Sequence, residues 1–484
     1  MFLGIDIGTS GVKVVVTNDD SDVIEQAVSP LPVSRPHPSW SEQDPADWWK
    51  ATQEAVLQLS PDRRAKIEAV GLSGQMHGAT LLGAGDEVLR PAILWNDGRS
   101  AAQCVELERR EPKTREITGN AVFPGFTAPK LLWVAENEPE VFSKVEKVLL
   151  PKDYVRLLMT GTYGSDMSDA SGTSWLDVGK RAWSPAMLEA TGLTEAHMPE
   201  LFEGSDATGT LLPEVAKAWG MNAVPVAGGG GDNAAGAVGV GVTGPGDAFM
   251  SLGTSGVLFL AGEAFSPNPD SGVHAFCHAL PGRWHEMTVM LSAASCLDWA
   301  MRLTGTPDAG SLVAAAEKKG RLDASLLFLP YLSGERTPHN DPHARGVLFG
   351  LDHDSGTPEV AQAVLEGVAL AFADGLNVLR DPGRVSEVTV IGGGARSSYW
   401  GRILSAALDR PLAYRRDADV GPAYGAAKLA QLCLGNADAD KVLAAPPVLS
   451  VVEPNKDDVA ILAEKRERFS ALYSTLKDSF PKGA

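Results

Sequence analysis

Cysteine is scarce in this chain. Its 484 residues include four, Cys104, Cys277, Cys296 and Cys433, scattered and without a Cys-x-x-Cys spacing. That excludes a disulfide framework and reads as reduced, mostly buried thiols of a cytoplasmic protein. His and Cys crowd together only in His274-Ala-Phe-Cys277-His278, with His285 downstream. The alternation there reads as a strand rather than a zinc site. Positive charge is also short: 42 Lys and Arg face 61 Asp and Glu, a net charge of −19. Such a surface repels nucleic acid and anionic lipid, so neither is an expected partner. There is no apolar run of the roughly eighteen residues a membrane span needs. The start, Met1 to Gly11, lacks the basic lead and long apolar core of a signal peptide. Three nucleotide motifs are missing as well: the P-loop Gly-x-x-x-x-Gly-Lys-[Ser/Thr], a Gly-x-Gly-x-x-Gly opening a βαβ unit, and the protein-kinase His-Arg-Asp.

What is present is ample core material and glycine. Apolar residues make up 44% and charged residues 21%, an ordinary globular balance, and the length asks for two or more domains. The 51 glycines gather after strand-like runs, in a recurring order of strand, glycine turn, helix. That order predicts an α/β architecture. Asp44-Pro45 predicts a helix start leading through Trp48, Trp49, Ala55, Val56 and Leu59. Pro358 to Leu379 is apolar at helical spacing, Glu464 to Phe480 reads as a closing surface helix, and Gly435 to Asp457 reads as loop with a short helix.

One pattern repeats. Gly8-Thr9-Ser10-Gly11-Val12 and Gly253-Thr254-Ser255-Gly256-Val257 are identical, and apolar runs flank both. Each predicts a β-hairpin with a glycine turn. Half a chain separates them, which suggests two similar domains, 1–244 and 245–484, divided near Gly241 to Gly246. Chance recurrence of a small-residue turn is the alternative. Two such turns facing a cleft would offer backbone N–H groups to the phosphates of ATP, through Gly8, Thr9 and Ser10 in one and Gly253 and Thr254 in the other. An acidic protein needs that local help to hold an anion. Asp6, just before the first turn, is placed to hold Mg²⁺ through water; the second copy has Ser251 there. Lys13 either adds charge at the phosphates or is a solvated strand lysine.

A third turn follows Val388-Thr-Val-Ile391: Gly392-Gly393-Gly394-Ala395-Arg396, then Ser397 capping a helix from Tyr399 to Leu408. Its glycines make a flat surface for a planar base, or else a tight turn with no ligand. Gly228 to Gly231 precede Asp232-Asn233 and a small-residue helix. Asp232 thus sits at a helix start, where the macrodipole favours its ionised form. It is the candidate general base, with a helix cap as the alternative. Gly71-Leu-Ser-Gly74-Gln75-Met76-His77-Gly78 ends a strand in hydrogen-bonding side chains suited to a polyol. Asn96, Asp97 and Arg99 fit either sugar contact or a buried Asp–Arg pair.

Together these motifs resemble the FGGY carbohydrate kinases, to about residue 430. Phe126-Thr-Ala-Pro-Lys130-Leu-Leu-Trp133 is similar to the family's first signature, and Gly346 to Leu351 with Leu365-Glu366-Gly367 to its second. The resemblance implies two ribonuclease-H-like domains of the actin/hexokinase type flanking a deep cleft, ATP and Mg²⁺ as cosubstrate and cofactor, and a small sugar as partner. It assigns Asp232 as base, Asp6 to the metal, Met76, His77, Asp232 and Asn233 to the sugar, and Gly393, Gly394 and Ser397 to the nucleotide. Ser41 to Pro45, Gln75 to Gly78, Trp95 to Arg99 and Tyr331 to Pro338 are most similar to bacterial members acting on D-xylulose at its 5-hydroxyl. Similar loops serve ribulose, gluconate and glycerol relatives, and a non-catalytic, ATP-binding actin-like sensor is the rival outside enzymes. A homodimer is common among such enzymes.

Overall fold

Valine at Val12, Val14, Val15 and Val16 stiffens the backbone toward an extended form, and the segment forms the strand Gly11–Thr17. It turns back on Phe2–Ile7 in antiparallel register, Ile5 opposite Val14 and Asp6 opposite Lys13. Phe2–Ile7 also pairs in parallel with Ala69–Gly74, which puts Asp6 beside Ser73. The computed structural model describes residues 1–319, 322, 325–418 and 420–481, with the side chains of 395 and 396 outside that description.

The sheet grown from this hairpin runs Ala207–Thr210, Pro225–Ala227, Ala69–Gly74, Phe2–Ile7, Gly11–Thr17, Val23–Pro30, with Gly230–Gly231 also paired to Ala69–Gly74. A second sheet begins from the repeated motif. Ala248–Leu252 pairs antiparallel with Gly256–Gly262 and in parallel with Val388–Ile391. Its order is His274–Cys277, Trp284–Met290, Gly256–Gly262, Ala248–Leu252, Val388–Ile391, Leu412–Arg415, Val448–Val452. The likeness between the halves therefore extends past five residues to topology: hairpin, then a parallel neighbour ending in a turn that carries a candidate motif. In one half that neighbour leads into Gln75-Met76-His77. In the other it leads into Gly392-Gly393-Gly394.

Each sheet has its own core. Ile5, Val14, Trp48, Leu72 and Trp219 pack in the first, and Met250, Leu258, Phe328, Phe372 and Trp400 in the second. A third cluster joins the halves, bringing Met76 and Phe126 against Phe249, Phe259 and Phe276. The Asp44-capped helix spans Pro45–Gln58, and the long apolar helix Thr357–Asn377. The closing helix starts earlier than its charge pattern suggests, at Lys456, and ends at Leu476. Val448–Val452 is a strand, where the prolines before it had suggested loop. His274–Cys277 is a strand, and all four cysteines are free thiols.

One helix crosses between the halves. Pro422–Cys433 lies on the first sheet, against Phe2–Ile7 and Ala69–Gly74, and beside the helix Asp232–Val240. Backbone meets backbone there. A Cβ at Gly4 would sit 1.8 Å from the Ala423 carbonyl oxygen, and one at Gly425 would sit 1.7 Å from that of Ala235. Only glycine permits that approach. No helix among the described residues is long and apolar enough to cross a membrane.

Candidate active site

Asp232 opens the helix Asp232–Val240, with Gly231 as its N-cap. The glycines before it are there for close packing as well as for access. Gly229 has φ +77, and a Cβ on it would lie 2.0 Å from the Leu72 carbonyl oxygen. Asp232 Oδ1 accepts from the Asn233 amide at 2.7 Å and from its side-chain nitrogen at 2.9 Å. The expected ionised carboxylate at a helix start meets an opposing effect. Burial pushes the Asp232 carboxyl up to about 6, and the two Asn233 hydrogen bonds hold it from rising further.

A cavity of about 720 Å³ opens beside Asp232 and Asn233. Ser251, Ile391, Gly392 and Gly393 line it, and so do Tyr414, Arg415, Asp417, Ala418 and Leu449. The last five have no motif in the sequence. The nearest signal is the strand Leu412–Arg415, which runs parallel to Val388–Ile391 and so ends on the same side. Gly393 leaves open space where a side chain would be, whereas a Cβ on Gly394 would press on Leu252 at 2.6 Å. Ser397 caps the helix Ser398–Leu408 by accepting from the Trp400 amide at 3.1 Å. The Ala395 and Arg396 side chains lie outside the described residues.

Asp6 is the last residue but one of its strand, two residues before Gly8 of the first turn. Burial raises its carboxyl to about 7, the charge of Asp232 adds to that, and Ser73 and Lys13 oppose it. Its Oδ1 is buried with no hydrogen-bond partner. In the turn, the Gly8 amide donates to the Gly11 carbonyl at 3.0 Å, and Ser10 is exposed. Thr9 is tied to the Gln75 and Trp95 loops: its hydroxyl donates to Gln75 at 2.9 Å and accepts from the Trp95 indole at 2.9 Å. Gln75 donates to Gln43, and Gln43 donates back to the Thr9 carbonyl. In the second turn the Gly253 carbonyl accepts from the Ala294 amide, and the Thr254 carbonyl from the Ala293 amide and the Ser295 hydroxyl.

Met76 is buried and packs on Gly231, the residue before Asp232. His77 has φ +70, unusual for a residue with a side chain. Its carbonyl accepts from Lys130 Nζ at 2.8 Å and from the Thr127 hydroxyl at 3.2 Å. Its Nδ1–H donates to the Gly172 carbonyl at 2.7 Å, which leaves Nε2 as an acceptor. Burial, then Lys130, lowers the ring to about 3, so it stays neutral. Asp97 and Arg99 form a buried bidentate pair at 2.9 and 2.7 Å, with the Arg99 guanidinium 3.6 Å from the Trp40 ring centroid. Asn96 is exposed.

Known proteins resemble the chain over nearly its whole length. The FGGY family of carbohydrate kinases matches twice, its N-terminal domain over residues 1–239 and its C-terminal domain over 248–433. The chain is 56% identical to the xylulose kinase of Escherichia coli (strain K12) over 480 residues, 98% of this chain and 99% of that one. It is 53% identical to the xylulose kinase of Klebsiella pneumoniae, over 99% of each. A crystal structure of a xyloylose kinase from Brucella ovis superposes with a TM-score of 0.95 at 50% identity, covering 99% of both chains. Two sheets begun by the same hairpin, each under its own half of the family match, have the two-domain actin/hexokinase-like architecture, and the chain belongs to the FGGY family of carbohydrate kinases.

Proposed function

We propose that the chain transfers the γ-phosphoryl group of ATP to the 5-hydroxyl of D-xylulose, with Asp232 as general base. The observation that carries this reading is the position of Asp232. Its side chain lines the cavity that runs to Gly392 and Gly393, and the residue before it packs on Met76 of the sugar turn. One carboxylate thus serves two subsites. The xylulose kinases at 56% and 53% identity support the choice of ketose.

Phosphoryl transfer asks a protein mainly to position groups and to neutralise charge. Asp232 orients the sugar hydroxyl toward the γ-phosphorus and takes its proton as the new O–P bond forms. A carboxyl near 6 is ionised in most molecules at neutral pH and is a better base than an exposed aspartate. Asn233 fixes the carboxylate from one side. His77 offers a neutral Nε2 acceptor to a sugar hydroxyl. The amides of Thr9, Ser10 and Thr254 are the proposed phosphate donors, with Gly8 and Gly253, whose amides donate to the Gly11 and Ser255 carbonyls, shaping the two turns, Lys13 adding positive charge and the Gly393–Ser397 turn beside the nucleotide base.

Asp6 fits Mg²⁺, held through water: its Oδ1 is an orphaned acceptor next to the phosphate turn. Bound there, the ion would neutralise phosphate charge.

ADP release measured with D-xylulose, ribulose, gluconate and glycerol tests the proposal. D-Xylulose should give the highest kcat/KM, and Asp232→Ala should abolish transfer while melting like the parent. Another sugar ranking well above D-xylulose would overturn the substrate, and an active Asp232→Ala would overturn the base.

A further inference from the structure

The proposed reaction leaves one cluster without a role. Lys152, Asp153, Arg156, Asp166 and Asp169 are buried together behind the glycine segment. Lys152 Nζ lies 2.5 Å from Asp153, 2.8 Å from Asp166 and 3.2 Å from Asp169. Burial pulls on the Lys152 ammonium, but the three carboxylates outweigh it and raise it. Burial pushes Asp169 well up, toward its neutral form, which evens the balance of charge. Desolvating five ionisable groups is a poor way to gain stability, since apolar packing of the same volume often does as well. Something else keeps them there.

The cluster extends two arms. Arg156 donates from Nη1 to the Ala227 carbonyl at 2.8 Å and from Nη2 to the Gly228 carbonyl at 2.5 Å. Ser168 accepts the Gly231 amide at 3.1 Å and donates to Asp166. One arm holds the start of the glycine segment and the other its end, one residue before Asp232. Glycines have no side chains for packing to grip, and their backbone is free to move. Carbonyls and amides are the only handles they offer.

We propose that Arg156 and Ser168 are positioning residues for the reaction: they fasten both ends of Gly228–Gly231 to the buried ionic cluster and so fix the helix start that presents Asp232. The proposal rests on Asp232 being the base, and it adds a rigid mount for that base. Displacing a catalytic group by about an ångström lowers turnover by about 100-fold.

The test is Ser168→Ala, a small change that keeps the fold, checked by its melt. It should lower kcat by about 10- to 100-fold while the KM for ketose and for ATP stay within about twofold. In an Asp232→Glu background, where the carboxylate is already displaced, the same substitution should cost less than about threefold. The positioning role is overturned if Ser168→Ala turns over within twofold of the parent while Asp232→Ala is dead. It is also overturned if the two substitutions multiply in full. An active Asp232→Ala is a separate result, which removes the base and the mount together.

Discussion

Asp6 and Asp232 repel: the charge on Asp232 adds to burial in raising Asp6 to about 7, while Asp232 itself rises to about 6. The two approach one another from different elements, a strand end and a helix start. In the proposed reaction Asp232 gives the pH profile of the free enzyme an acid limb. Because Asp232 must be ionised to accept a proton, kcat/KM should fall about tenfold per unit below pH 6. A profile flat to pH 4.5 would contradict Asp232 as base.

The same two groups should make stability depend on pH. Both are raised in the folded state above the ordinary carboxylate value of 3.8. The native chain therefore holds protons that the unfolded chain has released, and stability is lost as pH rises from about 4 to 7. Asp6→Asn removes the Asp6 share of that loss. It should melt a few degrees above the parent at pH 8 and level with it near pH 4, while losing phosphoryl transfer. A variant that melts lower at pH 8 would show that Asp6 is stabilised by partners after all.

His77 is held in its conformation by Lys130, Thr127 and Gly172, and in the proposed reaction its Nε2 accepts from the sugar. His77→Ala should raise the KM for the ketose by about 10- to 100-fold, the worth of one specific hydrogen bond plus its unpaired partner. The KM for ATP should stay within about twofold. Steady-state kinetics with each substrate varied in turn separates the two. An equal rise in both constants would place His77 outside sugar recognition.

Two glycines should behave oppositely. Gly425→Ala drives a methyl into the Ala235 carbonyl and should destabilise by about 3 kcal/mol or more, seen as a lower melting temperature. Gly393→Ala meets open space and should leave the melt unchanged within about 0.5 kcal/mol. Its methyl enters the cavity, so the KM for ATP should rise. Equal melts for the two variants would mean the helix contact at Gly425 is looser than its geometry.

Local pattern and long-range contact were legible to different degrees. The Gly-Thr-Ser-Gly-Val repeat announced both hairpins because a glycine turn between apolar runs has few other solutions. Asp232 was visible as a helix start, but the dipole is a local property and burial is not, so the lift in its carboxyl could not be read from neighbours in sequence. Asp97 and Arg99 stood open between sugar contact and ion pairing, and the structure pairs them under Trp40. Tyr414, Asp417 and Leu449 reach the cavity only because of strand order in the second sheet, which no short window encodes. Val448–Val452 was hidden by the prolines that precede it, though a sheet edge tolerates such a flank.

The Pro422–Cys433 helix has a consequence for synthesis. Strands around Gly4 and Gly71 are completed by a segment that follows the second sheet's Leu412–Arg415 in the chain. A nascent chain must therefore carry a half-covered sheet until that helix has been made. Pausing before residue 433 leaves that backbone face bare.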